Sequence, residues 1–182
     1  MQGAACYLRP FRGSDARAVL DLRVRNRAFM APYEPTRPDS HFTLATQSRM
    51  LEEEARAWRA GLQYVFGIFD HTDSLVGRIS LANVVRGGWH NATVGYFVDE
   101  ANNGRGIATE GLRLVTAFGF GPAGLHRVQA GVMPRNRASI RVVEKNHYRF
   151  EGVALRYLCI NGVWEDHNIY AVTAEEWQQA GG

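Results

Sequence analysis

The sequence predicts an α+β fold built as one domain. Segments with the alternating period of a strand and segments with the period of a helix follow one another as strand, two helices, three strands, helix, strand, helix, two strands. The last two strands are joined by Asn161-Gly162, the dipeptide favoured by a type I′ hairpin turn because both positions take positive φ. A chain of 182 residues that is 46% hydrophobic suits a single core, with residues 1–182 forming one unit.

Each element has a local reason. Residues 5–11 read as a first strand. Ser14-Asp15 then caps a helix whose apolar positions are Ala18, Val19, Leu22 and, after a turn, Phe29. Pro32, Pro35 and Pro38 make residues 31–40 an irregular loop, because proline cannot continue a helix. Residues 43–60 form the second helix, with Leu44, Met50, Leu51, Ala55 and Trp58 on its apolar side and Glu52-Glu53-Glu54 as a solvated face. Strands follow at 64–69 and 75–85 around an Asp/Thr/Ser turn, and at 89–98 after Gly87-Gly88. Residues 107–120 are a helix, 127–133 a strand, 136–145 a helix, and 153–160 and 163–172 the closing hairpin.

Bulk properties exclude several classes. The net charge of +3 suits a polyphosphate ligand, but no Lys/Arg tract marks a nucleic-acid binder. Cys6 and Cys159 have no paired or metal-ligand spacing, and the six histidines form no metal motif, so no metal is expected. The N-terminal residues lack the pattern of a signal peptide, and no apolar run approaches the roughly 18–20 residues that span a bilayer. The expectation is a cytoplasmic protein, monomer or homodimer, without a membrane partner.

The segment Asn103-Gly104-Arg105-Gly106-Ile107-Ala108-Thr109-Glu110 carries the most chemistry. It lies between a strand-like and a helix-like run. The first N–H groups of a helix have no intrahelical acceptor and point beyond its end, where a diphosphate can receive them. Gly104 and Gly106 remove the side chains that would keep an anion away. The lysine of a nucleotide P-loop and the third glycine of a dinucleotide fingerprint are both missing, so neither nucleotide reading fits.

The segment resembles the GNAT N-acetyltransferases, which carry Gln/Arg-x-x-Gly-x-Gly/Ala here; Gly106 and Ala108 match, and Asn103 replaces the usual Gln or Arg. The resemblance implies a mixed, mostly antiparallel central sheet of about seven strands flanked by about four helices. It implies acetyl-CoA as co-substrate, held by Asn103 through Thr109. The backbone of the strand residues Tyr96, Phe97 and Val98 would polarise the thioester carbonyl.

A second block, Asn136-Arg137-Ala138-Ser139-Ile140 through Glu151-Gly152, resembles the family's next helix. Asn136 is its N-cap and, with Ser139, a cofactor contact. Many members place a proton-donating Tyr seven residues after this Asn; Val143 stands there and cannot donate. The branch that acetylates ribosomal-protein N-termini, RimJ/RimL, instead has a Ser at the position of Ser139, one helical turn away on the same face. Further blocks match that branch at residues 26–42, 83–87 and 161–167. The Glu base assigned in RimL-type enzymes falls on Leu158. Glu34, between Tyr33 and Pro35, is therefore the leading carboxylate to bind the amine or take its proton. Asp166 and His167 are second candidates, of which one faces any given cleft because adjacent strand residues point to opposite sides. His41 is either a loop histidine or an outer proton acceptor. The expected acceptor set is Tyr33, Glu34, His41 and Asp166. The resemblance implies acetylation of a protein N-terminal α-amine, with no direct nucleic-acid binding. The alternatives are a small-molecule amine as acceptor, or a catalytically weak acetyl-CoA-binding module.

Overall fold

A computed structural model describes residues 1–181. Seven strands form one sheet: β1 (Tyr7–Pro10), β2 (Tyr64–Phe69), β3 (Leu75–Val85), β4 (Asn91–Val98), β5 (Arg127–Val132), β6 (Arg149–Ile160) and β7 (Val163–Thr173). Their spatial order is β1-β2-β3-β4-β5-β7-β6, antiparallel throughout except for the β4–β5 pair. The helices are α1 (Ala16–Arg25), α2 (Arg27–Met30), α3 (Leu44–Arg59), α4 (Ile107–Phe120), α5 (Arg137–Lys145) and α6 (Ala174–Gln179).

The expected elements are present, with three differences of physical origin. The first helix is interrupted at Asn26, whose side-chain Nδ2 donates to the Leu22 carbonyl at 2.9 Å while the chain turns into α2. The edge strand β6 starts earlier than expected and accommodates irregularities at Phe150/Gly152 and Ala154/Leu158. Helix α6 was not foreseen, although Thr173 and Glu176 form a reciprocal capping box at its start.

Two apolar layers hold the sheet. On one face Ala16, Val19 and Leu22 of α1 and Leu51 of α3 pack with Phe69, Leu75 and Phe97. On the other, α4 contributes Leu112 and Val115 to the core that includes Leu8, Ile68, Ile79, Leu81 and Val94. Gly119 permits the close approach: a Cβ there would meet Leu81 Cδ1 at 3.2 Å and Val128 Cγ2 at 3.3 Å.

The β4–β5 seam positions the site. Its parallel ladder runs only from Asn91↔Arg127 to Thr93↔Gln129. Beyond that point β4 stays paired with β3 as far as Val98↔Gly77, and β5 stays paired with β7 as far as Val132↔Asn168. Each strand follows its own antiparallel partner, so the two halves of the sheet part and leave a notch. The end of β4 is clamped from α1. Asp99 accepts from Arg25 Nε at 2.6 Å and from Asn26 Nδ2 at 3.1 Å, and Asn26 Oδ1 accepts from the Glu100 amide at 2.9 Å.

Candidate active site

From the clamped end of β4 the chain makes a helical turn at Glu100–Asn102 and enters α4 through Asn103-Gly104-Arg105-Gly106. Gly104 and Gly106 sit at φ +77° and +78°, the left-handed region that favours glycine. Gly106 is the N-cap and has no side chain to satisfy the helix, whose ladder begins with the Glu110 amide donating to the Gly106 carbonyl at 2.9 Å. The amides of Ile107, Ala108 and Thr109 therefore face outward at the positive end of the helix dipole. A Cβ added at either glycine would meet nothing within 4 Å, so the space before these donors is open. Donors, dipole and room together fit a diphosphate. Arg105, exposed, leans on Asn102 at 3.3 Å.

The far side of the notch is built by α5. As the sequence indicates, Asn136 caps the helix, its Oδ1 accepting the Ser139 amide at 3.1 Å. This fixes Ser139 so that its Oγ lies 2.8 Å from the Tyr96 hydroxyl on β4. Tyr96 also reaches the Ser139 carbonyl at 3.4 Å. Burial pushes the Tyr96 phenol up to about 12, with the Ser139 hydrogen bond opposing it, so the ring stays protonated at neutral pH. The two hydroxyls thus bridge β4 and α5 as a neutral proton-donating pair. Sequence reasoning gave Tyr96 only a backbone role, because no local pattern reveals which residue a strand side chain meets across a sheet opening. Phe97 and Val98 are buried, and Val143 is core. At the other end of α5, Asn146 donates to the carbonyls of Thr109 and Val142 at 3.2 Å and 2.9 Å, tying the helix to the first turn of α4.

The remaining predicted residues separate into several groups. Glu34 Oε2 pairs with Arg23 Nη1 at 3.1 Å, with side-chain exposures of only 18% and 12%. The Arg23 guanidinium lies over the Phe97 ring, 4.6 Å from its centroid, so Glu34 is tied to β4 through one arginine. Burial and the neighbouring Arg78 hold Arg23 below its ordinary value. The loop carrying Glu34 is strapped to the opposite half of the sheet. Asn161 Nδ2 donates to the Ala31 carbonyl at 2.6 Å, Thr36 Oγ1 donates to Asn161 Oδ1 at 2.8 Å, and Arg135, paired with Glu165 at 2.7 Å, donates to the Pro32 carbonyl at 3.2 Å. Tyr33 is exposed at this rim.

His41 is 7% exposed, and its Nε2 has no partner among the described residues. Burial, then the charges of Arg23, Arg37 and Arg78, pull it down to about 4, so it is neutral at physiological pH. Asp166 Oδ1 accepts the amide of Arg156 at 2.8 Å, where positive φ marks the β6 irregularity. His167, its neighbour, is buried. Leu158 is exposed opposite Glu165 on the hairpin. Among the described residues, no group of three or more His, Cys, Asp or Glu is placed to hold a metal.

A sheet that parts between two parallel strands, with an uncapped glycine-led helix at one side and an Asn-capped helix at the other, defines an acetyltransferase of the GNAT class, and residues 6–149 match the model of the acetyltransferase (GNAT) domain. The chain belongs to that family and is an acyltransferase whose donor is acetyl-CoA. It is similar to the probable N-acetyltransferase YjcK of Bacillus subtilis, 40% identical over 98% of this chain and 99% of the relative. Among solved structures it is similar to the ribosomal-protein-S5-alanine acetyltransferase of Vibrio fischeri, with TM-score 0.92 and 30% identity over 97% of each chain. Mycobacterium smegmatis RimJ in complex with CoA-disulfide superposes with TM-score 0.88 and 30% identity, over 96% of this chain and 88% of that one.

Two substitutions separate the halves of the site. Gly106→Val places a branched side chain in the open space before the α4 amides, and the acetyl-CoA dissociation constant rises at least about tenfold by calorimetry. A modest fall in melting temperature from the positive φ is expected alongside; unchanged affinity contradicts the phosphate-turn assignment. Ser139→Ala lowers kcat by about 10- to 100-fold with acetyl-CoA affinity nearly unchanged. Tyr96→Phe added to it costs little more, because the hydroxyls act as a pair. Additive losses contradict the pairing.

Proposed function

We propose that this enzyme transfers acetyl from acetyl-CoA to the α-amine of a protein N-terminus, with the alanine or serine terminus of a ribosomal protein as the leading acceptor class. The observation that carries the proposal is Glu34, a sheltered carboxylate on a loop strapped over the half of the notch opposite the phosphate turn. A carboxylate there attracts and orients an incoming ammonium before it loses its proton. The names borne by the similar S5-alanine acetyltransferase and RimJ chains support the same acceptor class. Acceptor chemistry favours it too. An α-amine has a pKa near 8 and a lysine near 10.4, so the neutral, attacking form is roughly 100-fold or more abundant for the α-amine at pH 7.

Attack is direct, with donor and acceptor bound together. Burial pushes the Cys6 thiol up to about 11, which keeps it protonated and unsuited to carry an acetyl group. Cys159 pairs with Trp164 near the tip of the hairpin. Acting on ribosomal proteins places the enzyme in the cytoplasm. Tyr33 contributes to the acceptor rim, and the phosphate turn, Asn136 and the Tyr96–Val98 backbone hold the donor.

The test is release of free thiol from acetyl-CoA against peptides beginning Ala, Ser, Met and Asp, with small amines in parallel. Turnover of one peptide class is the expected result, and Glu34→Gln lowers it by about tenfold or more while acetyl-CoA affinity is retained. Turnover restricted to small amines, or equal losses of turnover and donor affinity in Glu34→Gln, overturns the proposal.

A further inference from the structure

We infer that His167 is the group that takes the proton from the acceptor amine, an assignment that rests on the N-acetyltransfer reading above. His167 lies on β7, next to Asn168 and Ile169, which pair with Val132 and Gly131 of β5. It is 3% exposed, and its Nδ1 is 3.0 Å from the Glu165 carbonyl oxygen. A carbonyl can only accept, so Nδ1 carries the proton of the neutral ring and the free lone pair is on Nε2. Nε2 makes no hydrogen bond among the described residues, and it is not sealed in as the His41 Nε2 is.

Gly131 fixes where that lone pair lies. A Cβ at Gly131 would stand 3.2 Å from Tyr157 Cε1 and 3.7 Å from His167 Cδ2, the ring atom bonded to Nε2. The Tyr157 and His167 rings, 5.4 Å apart, therefore rest on bare β5 backbone. Gly131 is two residues past Gln129, where the β4–β5 ladder ends. The imidazole edge thus borders the opening of the sheet, on the half of it to which the Glu34 loop is strapped.

Apart from His41, whose Nε2 is sealed in, the other candidate groups are occupied or absent. Glu34 is held by Arg23, Asp166 takes the Arg156 amide, and Leu158 has no lone pair. Charged and titratable groups beside His167 include Glu165 and Asp166 on its own strand and Tyr157 from β6, with Arg135 of the β5–α5 connection paired to Glu165. In the step, the acceptor ammonium gives one proton to Nε2, which passes it to water, and the neutral nitrogen bonds to the thioester carbonyl carbon. The carbon–sulfur bond breaks, the sulfur takes a proton through the Ser139–Tyr96 pair, and the nitrogen gives its second proton to water, from which the pair is refilled. Two protons leave nitrogen, one ends on sulfur, and one is released to solvent.

The test uses His167→Gln and His167→Ala with whichever amine the wild-type enzyme acetylates, measuring kcat/KM from pH 6.5 to 9.5 beside acetyl-CoA affinity and melting temperature. The expected result is a loss of about 100-fold near pH 7 in both variants, with donor affinity retained. The loss should shrink as pH passes the pKa of the amine, near 8 for an α-amine, because the substrate then ionises unaided. Added imidazole should restore part of the activity of the alanine variant. Wild-type kcat/KM at every pH, or a loss that is uniform with pH and not rescued, overturns the assignment. Turnover of small amines alone sinks the N-terminal reading while leaving this test intact. No turnover of any amine overturns both.

Discussion

The parallel ladder between β4 and β5 stops at Thr93↔Gln129, and the rest of the molecule is organised around that stop. In a continuous sheet the backbone groups beyond it would pair with each other. Here β4 follows β3 and β5 follows β7, and the parting strands expose backbone donors and acceptors in the middle of an otherwise closed sheet. A ligand with an extended polar arm satisfies such groups where water or another strand otherwise must. The position of the opening is set by long-range clamps, among them the Arg25–Asn26–Asp99 cluster at the end of β4 and the Asn146 bonds between α5 and α4.

Charge is divided along the notch in a way that suits acetyl transfer. One side has the free amides and positive dipole end of α4, chemistry that suits phosphates, and the hydroxyl pair of Ser139 and Tyr96, which suits a departing sulfur. The other side has Glu34, balanced by the buried Arg23, and His41, held neutral by burial and neighbouring arginines. The loop bearing Glu34 has little regular structure of its own, and bonds from Asn161 and Arg135 hold it in place. The Asn-Gly turn therefore has a role beyond closing the hairpin, since its asparagine side chain holds the loop that bears Glu34.

Features encoded within a few residues were legible in the sequence. The Gly104/Gly106 turn, the Asn136 cap and the Asn161-Gly162 hairpin each follow from a local demand on φ or on an unpaired amide, and each stands where the pattern placed it. Features that depend on which strands meet were not. The Tyr96–Ser139 contact spans 43 residues, and the Arg23–Glu34 pair depends on how α1 packs over Phe97. Strand alternation did indicate that only one of Asp166 and His167 could look into a given cleft. Which of them is tied up by a neighbour was not legible, because it depends on the β6 irregularity, whose Arg156 amide donates to Asp166. Helix α6 was readable in principle, since Thr173-x-x-Glu176 is a capping box, but a six-residue helix has too short an apolar period to stand out.

The most direct measurement is to locate the acetyl group itself. A peptide with a free N-terminal alanine or serine and an internal lysine is incubated with enzyme and acetyl-CoA, then fragmented in a mass spectrometer. Acetyl on the α-amine alone, in an enzyme-dependent reaction, is the predicted result. Acetyl on the lysine ε-amine, or an unmodified peptide beside a small amine that is acetylated efficiently, contradicts the account.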